Sequence, residues 1–439
     1  MKSILKRRVV VTGLGVIASN GIGVAAFREA IQTGKSGIRW QESHKLHNMA
    51  SQIAGIPDLT EDEILETLPP NLFHKLTEAM VYAALCAIEC ARNSGEVVDP
   101  FSENESPVDW KTGAIMGCGL GGGMEIVLDE FSPVLIASHN AEPGRGALPL
   151  GSDAVAKVMA SGVSAIVGKI LGLGGQVMSN SSACTTGTEA IFEGYKNIVL
   201  GYADSMYVGG TEGTHVGIYA GFDAMRDVLC SDYNDLPEKA SQPMGAGACG
   251  FVPAGGCGIL RIEALDCALH RGAPILCELV SAYCNSGGQR DGGSMTFPNP
   301  EGVQRCIRYV IEDAGIHPKE ISLINGHLTS TSADPLEVQN WLKALRLDPS
   351  DFPLIQSTKS MIGHGLGSAG AIESVAVVDQ VARGYVHPST NCEDLHPKIE
   401  IISKSIPHEF QKRDLNYVIK SSFGFGDVNG CLLFKKWEG

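Results

Sequence analysis

The sequence predicts an α/β fold in which mostly parallel strands alternate with helices. Short β-branched runs alternate with longer helical segments in both halves of the chain, from Arg8 onward and again from about Ile275. The 53 glycines and an aromatic content of only 6% indicate tight turns and small-residue packing. No low-complexity linker separates the two halves, so we expect them to share a core.

Hydrophobic periodicity and turn residues place the individual elements. In the first half, strands are predicted at residues 8–11, 112–117, 177–179 and 203–208, and helices at 24–33, 77–92, 153–173 and 186–200. In the second half, strands are predicted at 276–283, 321–324, 354–356, 417–421 and 430–435, and helices at 300–314, 334–345 and 369–383. The last two strands are expected to pair.

Charge and hydropathy limit the class of function. The formal net charge is −15, from 34 basic and 49 acidic residues, which argues against a nucleic-acid binder. Lys157 and Lys169 interrupt the longest apolar stretch, so no membrane span is expected. The apolar run after Arg8 is broken at Thr12 and Gly13, too early for a signal peptide. We therefore expect a cytoplasmic protein.

The 13 cysteines form no C-x-x-C motif and no pair with zinc-site spacing, so no metal site is expected. Cys86 and Cys90 lie in a predicted helix and are interpreted as packing residues, because a free cysteine behaves as a small hydrophobe. The irregular scatter of the cysteines predicts a reducing compartment rather than a disulfide framework.

One cysteine has distinctive surroundings. Cys184 lies between the small residues 179–183 and a predicted helix that opens with Thr185 and Thr186. This is a nucleophile-elbow arrangement, which places the sulfur at a helix N-terminus. There the helix dipole favours the thiolate, and backbone N–H groups face an incoming carbonyl. Cys184 is therefore the candidate nucleophile.

Two histidines lie in turns far from Cys184 in the sequence. His327 follows the predicted strand 321–324, at the carboxyl edge of the sheet where α/β enzymes keep their chemistry. Thr329 and Thr331 offer hydroxyls at alternate positions for a polar substrate arm. His364 lies between two glycines, which let the backbone approach a ligand closely.

A lysine near His364 is a candidate supporting residue. Lys359 precedes His364 by five residues and has small, mostly uncharged neighbours, so we expect it to point inward. A carboxylate such as Glu337 is its expected partner. The segment 12–16 follows a strand, but its G-x-G-x-x-G pattern fails at Ala18, so a plain turn is predicted there.

The blocks around Cys184, His327 and 359–364 resemble those of the elongating (type I/II) β-ketoacyl-acyl-carrier-protein synthases, and the similarity runs from residues 9–15 to 422–426. The resemblance implies the thiolase fold, with two pseudo-symmetric βαβαβαββ halves in a layered αβαβα core. Residues 1–265 would form the half that carries the nucleophile, and 266–439 the half that carries both histidines. It also implies a homodimer and no metal, flavin or nicotinamide cofactor.

By this resemblance, Cys184 takes an acyl chain from acyl carrier protein. His327 and His364 then promote decarboxylation of malonyl carrier protein and stabilise the enolate. The backbone N–H groups of Cys184 and Phe423 form the oxyanion hole, and Phe423 gates the second half-reaction. The other implied roles are contact with the phosphopantetheine arm for Thr329 and Thr331, an ion pair for Lys359 and Glu337, and a place in the acyl pocket for Leu120.

The physical chemistry of decarboxylation agrees with this assignment. Loss of CO2 leaves negative charge on the enolate oxygen, and two neutral Nε2–H donors would lower that barrier. One such donor is typically worth ~3–4 kcal/mol. A pair of histidines also separates the chain from initiating synthases, which pair histidine with asparagine, and from thiolases, which use a second cysteine.

Three segments depart from the pattern of the resembled family. Leu328 replaces the glycine of His-Gly-Thr, Asp427 replaces a glycine in Phe-Gly-Phe-Gly-Gly-Thr-Asn, and 241–245 loses an arginine and an aspartate. The three catalytic residues survive, so condensation is the predicted reaction. The acyl substrate stays open between housekeeping fatty-acid synthesis and a specialised lipid or polyketide-like pathway.

Docking of an acidic carrier protein needs local positive charge despite the net charge of −15. Lys75 falls where the resembled family places docking cations, and Arg145 and Arg226 are further candidates. Two other functions stay open. One is a non-catalytic, chain-length-factor-type subunit of a heterodimer, which the presence of Cys184 disfavours. The other is an enzyme that decarboxylates or transfers acyl groups without condensing them.

Overall fold

The structure of the chain, a computed structural model, describes residues 7–102, 106–120, 122–142 and 144–439. Ten strands and the two-residue strand Gly21–Ile22 form one mixed sheet in this part of the chain. The ten are β1 (Val9–Ala18), β2 (Thr112–Cys118), β3 (Val177–Met178), β4 (Ser205–Glu212), β5 (Gly256–Ala264), β6 (Cys277–Ser286), β7 (Ile321–Asn325), β8 (Leu354–Gln356), β9 (Tyr417–Gly424) and β10 (Val428–Lys436).

The sheet consists of two halves with the same topology. Its strand order is β8-β7-β9-β10-β6-β1-β5-β4-β2-β3. Strands β3, β2 and β4 are parallel, and β5 and then β1 follow antiparallel. In the other half β8, β7 and β9 are parallel, and β10 and then β6 follow antiparallel. The halves join where β1 pairs with β6 at Val9, Val10 and Val11.

Helices form layers between and outside the two half-sheets. The longer ones are α1 (Val24–Thr33), α2 (Glu78–Asn93), α3 (Gly162–Leu171), α4 (Thr186–Val199), α5 (Val216–Asp223), α6 (Pro300–Ala314), α7 (Asp334–Leu345) and α8 (Ala369–Arg383). Helices α4 and α8 contact each other and strands of both halves, whereas α2 and α3 cover one outer face and α6 and α7 the other. The predicted αβαβα layering is confirmed.

Shorter elements decorate this core. The short helices are Glu42–Leu46, Glu61–Leu65, Pro70–Phe73, Met124–Ile126, Ser132–Ala137, Ala154–Val158, Leu265–His270 and Lys359–Ile362. Ile38–Trp40 pairs with Ile53–Gly55, and Tyr385–Val386 pairs with Gln411–Lys412.

The central layer requires glycines where helix and sheet backbones touch. Helix α8 is buried on every side from Ala369 to Val381, which is the pattern of a fully enclosed helix. A Cβ added at Gly258 of β5 would lie 2.5 Å from the carbonyl carbon of Ala371 and from the nitrogen of Ile372. The absence of a side chain at Gly258 therefore lets α8 lie directly on the sheet.

The predicted helices 24–33, 300–314, 334–345 and 369–383 and the strand 354–356 have the bounds that the structure shows. The single helix predicted for 153–173 is wrong: a turn at 159–161 divides it into Ala154–Val158 and α3, since Ser161 and Gly162 favour a break. Strand β5 was not predicted, because Gly256 and Gly258 obscure its period-two pattern. Strand β1 continues through 12–16 with a bulge after Val11, so the predicted turn there is also wrong.

The cysteines are mostly thiols, with one exception. Eleven are free within the described residues, whereas Cys230 and Cys249 form a disulfide with their Cα atoms 5.0 Å apart. The sequence does not predict this bond, because the two residues lie 19 positions apart on different segments. Those segments meet through a parallel bridge between Leu229 and Phe251. No helix in the described part of the chain is both long and apolar enough to cross a bilayer.

We predict that Gly258→Ala destabilises the protein by roughly 1–3 kcal/mol, because the added methyl group overlaps backbone atoms of α8 that cannot rotate away. Gly221→Ala is the matched control: it lies on α5 with open space around its Cα, and alanine favours a helix. Chemical denaturation measures both variants. Equal losses of unfolding free energy in the two would contradict the packing described here.

Candidate active site

Three residues from distant parts of the chain meet at one point. The Sγ atom of Cys184 and ring nitrogens of His327 and His364 all lie within 4.8 Å of one another. They lie at a cavity of about 590 Å³ whose wall includes Phe222 and Phe425. The structure therefore brings together the nucleophile and both imidazoles that the sequence predicted.

Cys184 lies in a strained turn between β3 and α4. Ala183 just before it has a φ of 47°, a left-handed conformation that costs free energy in any residue with a Cβ. A Cβ at Gly424 would lie 2.8 Å from the Thr185 hydroxyl oxygen and 3.1 Å from the backbone nitrogen of Cys184, so glycine favours the close approach of the end of β9 to the candidate nucleophile. The turn thus fixes both the sulfur and the N–H beside it.

Burial controls the ionisation of the nucleophile. It raises the pKa of the Cys184 thiol to about 11, and the nearby Lys359 charge and the backbone N–H of Phe425 only partly oppose this rise. The predicted stabilisation of the thiolate by the helix N-terminus is therefore outweighed, and the resting group is a thiol.

The backbone N–H that faces the sulfur belongs to Phe425, not to Phe423. Phe423 is buried, pairs with Asn429 in the ladder of β9 and β10, and has its ring 6.4 Å from that of His327. Both phenylalanines line the cavity. The sequence contains a signal for Phe425, because the Phe-Gly pair at 423–424 repeats at 425–426 and either phenylalanine fits the oxyanion-hole role.

His364 is held by its own turn. Its backbone N–H donates to the carbonyl of Val252 at 2.7 Å, and the N–H of Leu366 donates to its Nδ1 at 3.3 Å. Because Nδ1 accepts, the proton of the neutral ring lies on Nε2. The ring packs edge-on against Phe251 and lies 5.3 Å from the His327 ring. His364 is thus a hydrogen-bond donor toward the cavity.

Both imidazoles are neutral at physiological pH. Burial lowers the pKa of His327 well below its usual value, and the positive charges of Lys359 and Lys420 lower it further. Burial also lowers the pKa of His364 well below its usual value, and the positive charges of Lys359 and then Lys420 lower it further. Neutral rings donate hydrogen bonds without bringing a charge of their own, as the predicted chemistry needs.

The predicted ion pair between Lys359 and Glu337 is wrong. The Lys359 ammonium forms its buried ion pair with Glu373 of α8, and it also donates to the carbonyl of His327 at 2.7 Å. Glu337 accepts from the backbone N–H groups of His327 and Leu328 at 2.8 and 2.7 Å, so both of its oxygens are occupied. Burial raises the Glu337 pKa to about 7.

Sequence reasoning missed Glu373 and Lys420. Glu373 is fully buried in α8, and Lys420 is fully buried in β9. A glutamate in an apolar helix and a lysine in an apolar strand were the available signals, since such residues are rarely buried without partners. They were not used because nothing local in the sequence shows that the two meet.

The departure at Leu328 is accommodated by the core. Its φ is 23°, the side chain is fully buried, and it belongs to the same apolar cluster as Met244, Val338 and Trp341. Met244 lies in the other altered segment, 241–245. Two departures from the family pattern thus lie in one cluster, where the apolar surface they bury offsets the backbone strain.

Asp334 fixes the loop that follows His327. Its carboxylate accepts from the backbone N–H groups of Thr329 at 2.8 Å and of Met244 at 2.9 Å. The hydroxyls of Thr329 and Thr331 lie 3.0 Å apart, and both residues line the cavity as predicted for a substrate arm. The altered segment 241–245 therefore still holds this wall of the cavity in place.

The remaining predicted residues are exposed. Leu120 is 48% exposed and is absent from the described residues that line the cavity. Lys75, Arg145 and Arg226 are all exposed, and Arg145 pairs with Glu142 at 3.3 Å. Arg226 is flanked by Met225 and Asp227, which line the cavity.

Asp427, the third departure, ties the Phe-Gly-Phe-Gly turn to the segment 287–299. Its buried carboxylate accepts from the backbone N–H groups of Gln289 and Asn299, each at 2.8 Å. The N–H of Gly426 also donates to the carbonyl of Met295 at 2.7 Å. Because 296–298 line the cavity, Asp427 couples two of its walls.

The fold and the site together define a thiolase-fold condensing enzyme. Residues 6–268 match the N-terminal domain of the β-ketoacyl synthases, and residues 276–393 match the C-terminal domain. The chain belongs to the β-ketoacyl synthase family.

Named relatives cover the whole chain. The 3-oxoacyl-[acyl-carrier-protein] synthase 1 of Haemophilus influenzae is 33% identical over 433 residues, which cover 99% of this chain and 100% of that protein. The 3-oxoacyl-[acyl-carrier-protein] synthase 1 of Escherichia coli K12 is 32% identical over 432 residues, or 98% of this chain and 99% of that protein.

Solved structures show the same fold. A β-ketoacyl synthase from Burkholderia phymatum superposes with a TM-score of 0.86 at 26% identity, covering 98% of this chain and 100% of that one. A type II polyketide synthase ketosynthase in complex with its acyl carrier protein gives 0.84 at 27% identity, covering 99% of this chain and 100% of that one.

We predict that Asp427→Gly increases amide hydrogen exchange in residues 287–299, because two hydrogen bonds to a charged acceptor, worth about 1.5–3 kcal/mol each, are lost. Asp291→Asn, which changes an exposed carboxylate in the same segment, is the control. Exchange measured by mass spectrometry reports on 287–299 and, as an internal standard, on α8. Unchanged exchange in Asp427→Gly would show that other contacts hold the segment.

Proposed function

We propose that this chain catalyses the decarboxylative Claisen condensation of an acyl thioester, carried on Cys184, with malonyl-acyl carrier protein to give 3-oxoacyl-acyl carrier protein. The observation that carries the proposal is the meeting of one thiol and two neutral imidazoles within 4.8 Å at the cavity. Named relatives with this activity over the full chain length support it. No step requires a metal or an organic cofactor.

In the first half-reaction the Cys184 sulfur attacks the carbonyl carbon of an acyl carrier protein thioester. The carbon–sulfur bond to the carrier breaks, and the proton of the Cys184 thiol ends on the departing phosphopantetheine thiol. The N–H groups of Cys184 and Phe425 are placed to bind the oxyanion, because Phe425 faces the sulfur. Thr329 and Thr331 bind the phosphopantetheine arm along the cavity wall.

In the second half-reaction malonyl carrier protein enters, and His327 and His364 donate hydrogen bonds to its thioester oxygen. The bond to the carboxylate carbon breaks, CO2 leaves, and the electron pair forms the enolate. The enolate carbon attacks the acyl group on Cys184. A carbon–carbon bond forms, the carbon–sulfur bond breaks, and the Cys184 thiolate takes up a proton. The product is two carbons longer than the primer.

The partner we propose is an acyl carrier protein that docks on exposed cations, with Lys75, Arg145 and Arg226 as candidates, in the cytoplasm. We also propose a homodimer that pairs at the short edge strand β3. Val177 of this strand and nearby Trp110 are 37% and 74% exposed, and an apolar strand edge is suited to pairing with a second copy. A heterodimer with a non-catalytic subunit is the second candidate, since one solved structure with this fold is a ketosynthase/chain length factor.

We predict that intact-protein mass spectrometry detects an acyl adduct on the wild-type chain but none on Cys184→Ala. The control is His364→Ala, which keeps the nucleophile, so it should form the adduct yet give no longer product after malonyl carrier protein is added. A panel of acyl carrier proteins identifies the preferred primer.

Two results would contradict the proposal. CO2 release without a longer product would indicate an enzyme that only decarboxylates. The absence of an adduct with every primer would reject Cys184 as the nucleophile and favour a non-catalytic subunit. In that case wild type and Cys184→Ala should support the activity of a catalytic partner subunit equally well.

A further inference from the structure

A second lysine lies in the ionic cluster behind the two imidazoles. Lys420 is fully buried in β9, and its Nζ atom lies 2.8 Å from Oε2 of Glu373. The Lys359 ammonium contacts the other oxygen of the same carboxylate. One buried carboxylate therefore serves two buried ammonium groups.

The other titratable groups around this cluster do not balance its charge. Glu337 of α7 is the further carboxylate that acts on Lys420, but burial raises its pKa to about 7, so it carries only part of a negative charge at neutral pH. His387 lies near Glu373, and burial lowers its pKa to about 4, so it is neutral. Burial lowers the pKa of Lys420 itself. With both lysines protonated, the cluster holds an excess of positive charge, because two ammonium groups share the one carboxylate of Glu373.

An excess buried charge is costly for folding. Lys359 alone would neutralise Glu373, so Lys420 is not needed to satisfy that carboxylate. Residues that break such a rule are expected at functional sites. The charge lies beside His327, since the Lys359 ammonium donates to the carbonyl of His327 at 2.7 Å and shares the Glu373 carboxylate with Lys420.

Lys420 also contacts the strand that leads to the Phe-Gly-Phe-Gly turn. Its ammonium donates to the carbonyl of Ser421 and to the hydroxyl of Ser422 at 3.2 Å. The Ser422 hydroxyl lies 2.8 Å from that of Thr188, which is on α4, the helix that Cys184 precedes. The strand that ends in the Phe-Gly-Phe-Gly turn is thereby fixed to the helix of the nucleophile.

We propose that Lys420 is a positioning residue for condensation, whose positive charge in the cluster with Lys359 and Glu373 opposes an added positive charge at His327 and His364 and favours the anionic enolate. The inference rests on the proposed function, because the enolate belongs to that reaction. Two consequences follow from the sign of the charge. Without the Lys420 charge, the pKa values of His327 and His364 rise, so both rings become protonated at a higher pH. The enolate also loses a favourable interaction.

The test compares Lys420→Met, which keeps the length of the side chain without its charge, with Lys420→Arg, which keeps the charge. CO2 release from malonyl carrier protein is measured against pH. We expect the acidic limb of Lys420→Met to move up by about one pH unit and its plateau to fall about tenfold. Lys420→Arg should keep the wild-type limb. Lys343→Met, an exposed lysine on α7, should match wild type throughout.

Chemical denaturation separates this role from a structural one. Removing an excess charge leaves the neutral pair of Lys359 and Glu373, so the denaturation midpoint of Lys420→Met should be unchanged or higher. The proposal is overturned if Lys420→Met has a lower midpoint or fails to fold while Lys420→Arg keeps the wild-type acidic limb. That result would show that Lys420 has a structural role. An unshifted limb in Lys420→Met, or an equal shift in both variants, overturns it too.

The proposed function can fail independently of this inference. If wild-type Cys184 forms no acyl adduct and releases no CO2, the condensation itself is rejected. If wild type condenses normally and Lys420→Met has an unshifted acidic limb, only the role of Lys420 is rejected.

Discussion

The ion pair between Lys359 and Glu373 is the contact on which the site depends, because it joins three separate elements of the chain. Glu373 comes from the enclosed helix α8, Lys359 opens a short helix after β8, and the Lys359 ammonium also binds the carbonyl of His327 after β7. The Lys359 ammonium therefore fixes the backbone of His327, and Lys359 itself precedes His364 by five residues. A buried pair of this kind is weak evidence for stability, but removing one partner would leave an uncompensated buried charge.

Burial shifts the pKa values of Cys184 and of the two histidines in opposite directions. It disfavours the charged form of each group, so it raises the pKa of Cys184 and lowers those of His327 and His364. The site at rest thus contains a thiol and two neutral donors, and the lysine–glutamate cluster contacts the backbone of His327. Charge that develops during the proposed reaction meets preorganised donors in a largely buried site, where such donors are most effective.

The departures from the family pattern lie in the supporting structure rather than among the reactive groups. Leu328 and Met244 share one apolar cluster, and Asp427 binds backbone N–H groups of the segment 287–299. Each changes how a wall of the cavity is held, while the distances among Cys184, His327 and His364 stay short enough for chemistry. We therefore expect any difference in substrate between this chain and its relatives to arise from the shape of the cavity walls.

The sequence by itself determined the fold class, most of the helices and the three reactive residues, because these follow from local patterns: a small-residue turn before a helix at Cys184 and glycines around His364. Strand β5 escaped prediction because its glycines serve the packing of α8, a contact with a distant segment. Only the tertiary structure decided that Lys359 pairs with Glu373 instead of Glu337, that Phe425 faces the sulfur, and that Lys420 joins the cluster. The ion-pair partner of a buried charged residue depends on which elements pack together. No local pattern in the sequence predicts that packing.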